Sequence, residues 1–312
     1  MDLELAKEII ACLPQERTLY HYHKGRYAVD LLRRYLADRD GLPIARLKAS
    51  PYGRLLEKPL IKSIISQWGQ GVAKYRDLDS LWDGQYETYV LTLGTWGGKK
   101  YSRWDQLSRP GGNLVLQMNF SNRHNLALQR CGFEDPNYFN NWGHPVSPRR
   151  CTLAWARIDL DFETDEALVE EVQSDWVRDI DELREDVQYA IENGDSKLDY
   201  WGENAYVDRA LEYLEGELGR HLGIWSEAML NATLQFLTEE LGLKSIYYHS
   251  FETGTQLKNI NYSKPPRSLY SDLPKQFCFQ KTEEAPEFLA RDKHARRVLK
   301  KVRNLTWFRL AE

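Results

Sequence analysis

A mixed α/β fold, with a central, largely antiparallel or mixed sheet and flanking helices, follows from three features of the sequence. Leu153–Phe162 and Ala167–Gln173 are strand-like runs joined by the polar Glu163-Thr164-Asp165-Glu166, the pattern of an antiparallel hairpin. Trp225, Ala228, Met229, Ala232, Phe236, Leu237 and Leu241 form one apolar stripe at helical spacing. Gly242 stops that helix, and the strand Ser245–His249 follows at once.

The remaining elements fill in around this frame. Residues 2–12 read as an amphipathic helix, and Thr18–His23 as a short strand. Helical spacing returns over Tyr27–Leu36 and is expected again over Leu55–Trp68. Strands are predicted at Tyr86–Leu93 and Asn113–Phe120, with the turn signals Gly97-Gly98 and Arg109-Pro110-Gly111-Gly112 between them. After the hairpin come two acidic helices, 175–193 and 204–221. Beyond Ser245–His249 the pattern gives a short helix over 252–260, a break at Pro265-Pro266 and a strand over Gln276–Gln280. A basic helix over 291–303 and a last strand over Thr306–Leu310 complete it. The expected division is an N-terminal helical and strand region, 1–107, and a mixed-sheet domain, 108–312.

Composition removes several function classes. No run of about 18 apolar residues exists, so no membrane span is expected. The first residues lack the basic leader and apolar centre of a secretory signal. Cys12, Cys131, Cys151 and Cys278 lie far apart, which supports neither a zinc motif nor a disulfide framework. A cytoplasmic location is therefore expected. The net charge of −4 hides an asymmetry: residues 151–200 carry 16 Asp/Glu against 4 Lys/Arg, and residues 251–312 carry 13 Lys/Arg against 7 Asp/Glu. The basic helix, with Arg291, Lys293, Arg296, Arg297, Lys300, Lys301 and Arg303, could grip phosphate, so nucleic acid is the candidate partner. A solvated helix face is the simpler reading of the same residues.

Chemistry concentrates at the end of the second hairpin strand, Glu170-Glu171-Val172-Gln173-Ser174-Asp175-Trp176. Strand alternation places Glu171 and Gln173 on one face with Val169, and Glu170 on the other with Leu168 and Val172. Two carboxylates among apolar neighbours are costly unless solvated, paired or used. Asp175 is expected as the N-cap of the next helix. Without function, the segment would be a surface strand end with a capping Asp and a core Trp. With function, Glu171, Gln173 and Asp175 surround a pocket at the strand terminus, a usual place for α/β sites. Arg157 and Lys258 are candidate counter-charges, and His249 ends the neighbouring strand.

Leu153-Ala154-Trp155-Ala156-Arg157, the polar turn, and the segment through Trp176 resemble a domain of the large polyvalent proteins of phages and other mobile elements. Members of that group carry a comparable Glu-Glu-Ile-Gln-Ser-Asp-Trp segment after a similar hairpin. The resemblance extends to Pro110-Gly111-Gly112 upstream and to Trp225–His249 downstream, over roughly residues 108–280. Where members continue Trp-His-Gln, this chain has Trp176-Val177-Arg178. The resemblance points to a site at Glu170, Glu171, Gln173, Asp175 and Trp176 without naming a reaction.

Three chemical readings remain open. The order hairpin, helix, strand, short helix, strand pair is similar to the acetyltransferase-like fold. There acetyl-CoA would be the cofactor and Glu171 a general base with its pKa raised by burial. Tyr270 before Leu273-Pro274 and Phe277-Cys278-Phe279 resembles the Tyr and Gly-Phe pair late in that fold. No glycine-rich turn follows the strand to cradle a pyrophosphate. The second reading is a metal-dependent nuclease, with Asp161, Glu171 and Gln173 in the manner of Asp…Glu-x-Lys sites and Mg²⁺ as cofactor. The third is a non-catalytic module that binds nucleic acid or protein.

Overall fold

Eight strands form one sheet. They are β1 (Thr18–Tyr22), β2 (Glu87–Gly97), β3 (Gly112–Asn119), β4 (Thr152–Asp161), β5 (Glu166–Gln173), β6 (Ser245–His249), β7 (Phe279–Thr282) and β8 (Trp307–Leu310). Their order across the sheet is β1-β2-β3-β4-β5-β6-β8-β7. Only β5 and β6 pair in parallel; every other neighbouring pair is antiparallel. The computed structural model describes residues 1–312 except 13–17, 67, 69–70, 80–84, 99–101, 261–263, 303 and 311–312. Arg303 and part of the Leu55–Trp68 segment thus lie outside the described residues.

The main helices are α1 (Leu3–Cys12), α2 (Arg26–Leu36), α3 (Asn122–Arg130), α4 (Asp175–Asn193), α5 (Trp225–Gln235), α6 (Phe251–Leu257), α7 (Arg267–Gln276) and α8 (Lys293–Leu299). The mixed α/β class read from the sequence is the architecture found. Apolar side chains on one face of the sheet, among them Ile158, Val169 and Val172, meet α5, on which α2 rests. The other face carries a second apolar cluster at Leu168, Tyr247 and Trp307, which Phe288, Leu289, Ala295 and Leu299 cover. Toward the far ends of β4 and β5 that second face becomes polar. The sheet also crosses residue 107: β2 pairs with β3 from Val90–Asn119 to Gly97–Gly112.

Several elements differ from expectation. The helix expected over 204–221 begins with a strand, Glu203–Tyr206, paired to Lys197–Tyr200. Helix then resumes from Val207 and widens to a π-turn at Tyr213–Glu217. Leu55–Trp68 is two pieces, a 3₁₀ turn Pro51–Glu57 and a helix Pro59–Ile65. Pro59 stands at the first helical position, where its missing N–H costs nothing. The stretch after the Pro265-Pro266 break, unassigned from sequence, is the helix α7, and the following strand starts at Phe279 rather than Gln276. The basic segment is two short helices, Glu287–Arg291 and α8, because Asp292 leaves helical geometry to cap the second by accepting the Ala295 N–H at 2.7 Å.

Candidate functional site

The site begins with an irregularity in β5. Ile158 pairs with Val169, yet Arg157 pairs with Glu171, so one extra residue, Glu170, is inserted opposite β4. Such a bulge reverses the alternation beyond it. Val169 and Val172, which plain alternation would separate, therefore share the helix-covered face, while Glu171 and Gln173 join Arg157 and Trp155 on the polar one. This corrects the expectation that Glu171 and Gln173 share a face with Val169. The parallel pairing of β5 with β6 stops at Val169–Tyr248, immediately before the bulge, and the two strands part there.

Buried charges fill the parting. Glu170, Glu171, Arg157, His249 and Lys258 are all buried. Lys258 Nζ donates to the backbone oxygen of Glu170 at 2.9 Å and to the Tyr270 hydroxyl at 3.2 Å, and lies 3.5 Å from the Glu171 carboxylate. The Arg157 guanidinium also pairs with Glu171 and donates to the Asp105 carbonyl at 2.8 Å. Ser108, from the loop before β3, donates through Oγ to Glu170 at 2.7 Å and through its backbone N–H at 3.2 Å. His249 Nε2 stands 3.1 Å from the same carboxylate and 2.8 Å from Ser108 Oγ. Two carboxylates thus face two cations.

Protonation follows from these contacts. Burial alone would raise Glu171, but Lys258 and Arg157 outweigh it and hold its carboxyl below the usual range. The expectation of a base with a raised pKa is therefore corrected: Glu171 is a firmly ionised hydrogen-bond acceptor. Glu170 is likewise lowered, burial being outweighed by the His249 hydrogen bond and the nearby positive charges. Burial lowers His249 and Lys258. A neutral His249 donating from Nε2 fits its two partners there, and its buried Nδ1 has none among the described residues.

Asp175 organises the strand end. Ser174, rather than Asp175, is the N-cap of α4, its Oγ accepting the Val177 N–H at 3.2 Å. Asp175 is the first helical residue, where a negative charge suits the helix dipole. Its buried carboxylate accepts from Gln173 at 3.0 Å and Trp155 Nε1 at 3.2 Å, pairs with Arg178, and contacts His144 Nδ1 at 2.7 Å. Trp176 points the other way, fully buried against Phe120, His124 and Phe139.

Above this layer opens a cleft of about 270 Å³. Arg157, Glu171 and Gln173 line it together with Trp96, Trp104, Trp155 and His144. The guanidinium of Arg157 lies 5.9 Å from the ring of Trp96 and 6.0 Å from that of Trp155. Trp104 is 73% exposed, and Trp142, beside the cleft residue Gly143, is 62% exposed. Of the residues expected from sequence, Glu171, Gln173 and Arg157 reach this cleft and Asp175 supports it. Glu170, His249, Lys258 and Tyr270 lie sealed in the layer beneath. Asp161 pairs with Glu166 at the opposite end of β5 and is not brought near Glu171 or Gln173. Among the described residues no three His, Cys, Asp or Glu side chains are grouped to hold a metal ion.

Sequence reading missed Trp96, Trp104, Ser108 and His144, which arrive from loops and a strand distant in the chain. Tryptophans beside turn residues, as in Trp142-Gly143-His144-Pro145, were the available signal. Comparison with known proteins gives no match among family models, curated proteins or solved structures.

Proposed function

We propose that the cleft at the end of β5 recognises a flat, nitrogen-bearing ring of nucleobase type, and that the protein is a binding module built around it. The observation that carries this reading is that Trp96, Trp104 and Trp155 line one cleft with the ionised Glu171, and that Trp104 is left open to solvent. A solvent-facing indole has no role in the core, whereas stacking on a base is worth about 1–3 kcal/mol per aromatic residue. Glu171 can accept from a ring N–H or amino group, and the buried Arg157 Nε has no partner among the described residues. About 270 Å³ fits one or two fused rings and is too small for a whole coenzyme. Titration of tryptophan fluorescence with adenosine and guanosine tests it. Saturable quenching is expected, with Trp104→Ala weakening affinity at least tenfold. Absence of quenching by any nucleoside sinks the reading.

Group transfer on an acetyltransferase-like frame is the second reading, supported by the strand order and the parting of β5 from β6 at the Glu170 bulge. It ranks second because Lys258 and its partners occupy the parting and Asp175 places a negative charge at the head of α4. Saturating acetyl-CoA should raise stability by roughly 2.7 kcal/mol at about 100 times Kd if this reading holds. The segment Glu170–Trp176 further supports kinship with mobile-element polyvalent proteins, and four scattered free cysteines suit a cytoplasmic setting. Lys293, Arg296, Arg297, Lys300 and Lys301 are exposed and available to nucleic-acid phosphates. No helix among the described residues is long and apolar enough to cross a membrane.

A further inference from the structure

We infer a second ligand site, for a diphosphate-bearing small molecule, in the cleft between the start of α2, the 54–60 segment and the end of α7. The cleft encloses about 580 Å³, a volume typical of small-molecule sites. Four cations line it: Lys24, Arg54, Lys58 and Lys275. They come from separate parts of the chain, so their meeting is a product of folding and not of one basic run. The basic helix α8, by contrast, presents neighbouring residues on a convex surface.

Two carboxylates, Glu227 and Asp272, also line the cleft, which leaves an excess of two positive charges (four minus two) in a chain whose net charge is −4. Glu227 is occupied internally. One of its oxygens accepts the Gly25 N–H at 2.8 Å and the other the Gln276 amide at 2.9 Å. Asp272 is exposed and accepts from Ser271 at 3.1 Å. Arg54 gives one N–H to the Lys275 carbonyl at 2.6 Å, which fixes the guanidinium across the cleft and leaves its other donors for a ligand. Lys58 sits 5.9 Å from the ring of Tyr27, above a wall completed by Pro59 and Leu60. A planar fork beside mobile ammonium groups suits phosphoryl oxygens, and low-dielectric walls strengthen the attraction. The volume exceeds the needs of one phosphate, which favours a diphosphate carrying a small organic group.

The site is separate from the tryptophan cleft and is tested separately. Calorimetric titration of the full chain with inorganic pyrophosphate at low ionic strength should give saturable one-to-one binding. Lys58→Gln should weaken it roughly tenfold or more, as should Lys24→Gln, which changes an exposed side chain and leaves folding intact. Lys62→Gln, outside the cleft, should bind as the parent does. The inference is overturned by no saturable heat, by equal binding in the cleft variants, or by a short single-stranded DNA binding through these cations while pyrophosphate does not.

Discussion

Lys258 has its whole side chain in the interior, and its ammonium is tolerable there only because Glu171, the Glu170 carbonyl and Tyr270 surround it. Removing one member of a buried ionic set leaves an uncompensated charge, which costs about 3–5 kcal/mol. Lys258→Met should therefore destabilise by that amount, measured as a shift of the urea midpoint. Adding Glu171→Gln to it should restore part of the loss, because charge balance returns; a double variant as unstable as the sum of both singles would contradict the coupling. Acid should act on the same residues. Glu170 and Glu171 have folded pKa values below their unfolded ones, so their contribution is complete above about pH 4.3 and declines as pH falls through the folded values. The sequence made Glu171 conspicuous because a charged pair in a strand demands partners. It could not name Ser108 or His144, since nothing local in their loops refers to a strand some tens of residues away.

The bulge in β5 and the turn after α5 differ in how plainly the sequence announces them. Gly242 adopts φ +71°, and the Leu243 N–H closes back on the Leu237 carbonyl at 2.9 Å, an ending that favours glycine and is visible as Gly after an apolar stripe. A Cβ at Gly242 would meet no atom within 4 Å, so Gly242→Ala should cost only the backbone strain, about 1 kcal/mol, with an unchanged denaturant slope. A larger loss would mean that β6 shifts as well. The Glu170 bulge leaves no such sign. Plain alternation fits Ala167–Gln173 equally well, and only pairing with β4 reveals the extra residue. The helix α7 was hidden for another reason. Pro265-Pro266 reads as a break, yet Pro266 directly precedes the helix, and Pro274 falls in its last turn, where helix continues despite one lost N–H. Tyr270 is carried by that helix to Lys258.

Across the whole molecule, three buried histidines link folding to pH. His124 stacks on Phe120 with ring centroids 3.5 Å apart and contacts the Tyr213 hydroxyl at 2.7 Å; His221 contacts the Tyr89 hydroxyl at 2.8 Å; His249 lies in the charged layer. Burial lowers all three, His124 to about 3 and His221 to about 4. Unfolded, each would titrate near 6.5. The folded state thus excludes protons that the unfolded state accepts, and stability falls as pH drops below about 6.5. For His124 and His221 together the slope approaches roughly 2.7 kcal/mol per pH unit near pH 5, and the His221 share levels off near its folded value. Glu166, Asp179, Glu239 and Glu240 are raised, chiefly by loss of solvation, and act in the opposite direction near pH 4.5, but of these only Glu166 is buried, and solvent weakens the share of half-buried Asp179 and exposed Glu239 and Glu240. Urea midpoints at pH 7.5, 6 and 5 should therefore fall steadily. His221→Gln should flatten that fall, since the amide can still meet Tyr89 but takes up no proton on unfolding. A midpoint constant from pH 7.5 to 5 would mean that water reaches these rings, and that the cluster beneath α3 and the 213–217 turn is looser than its packing implies.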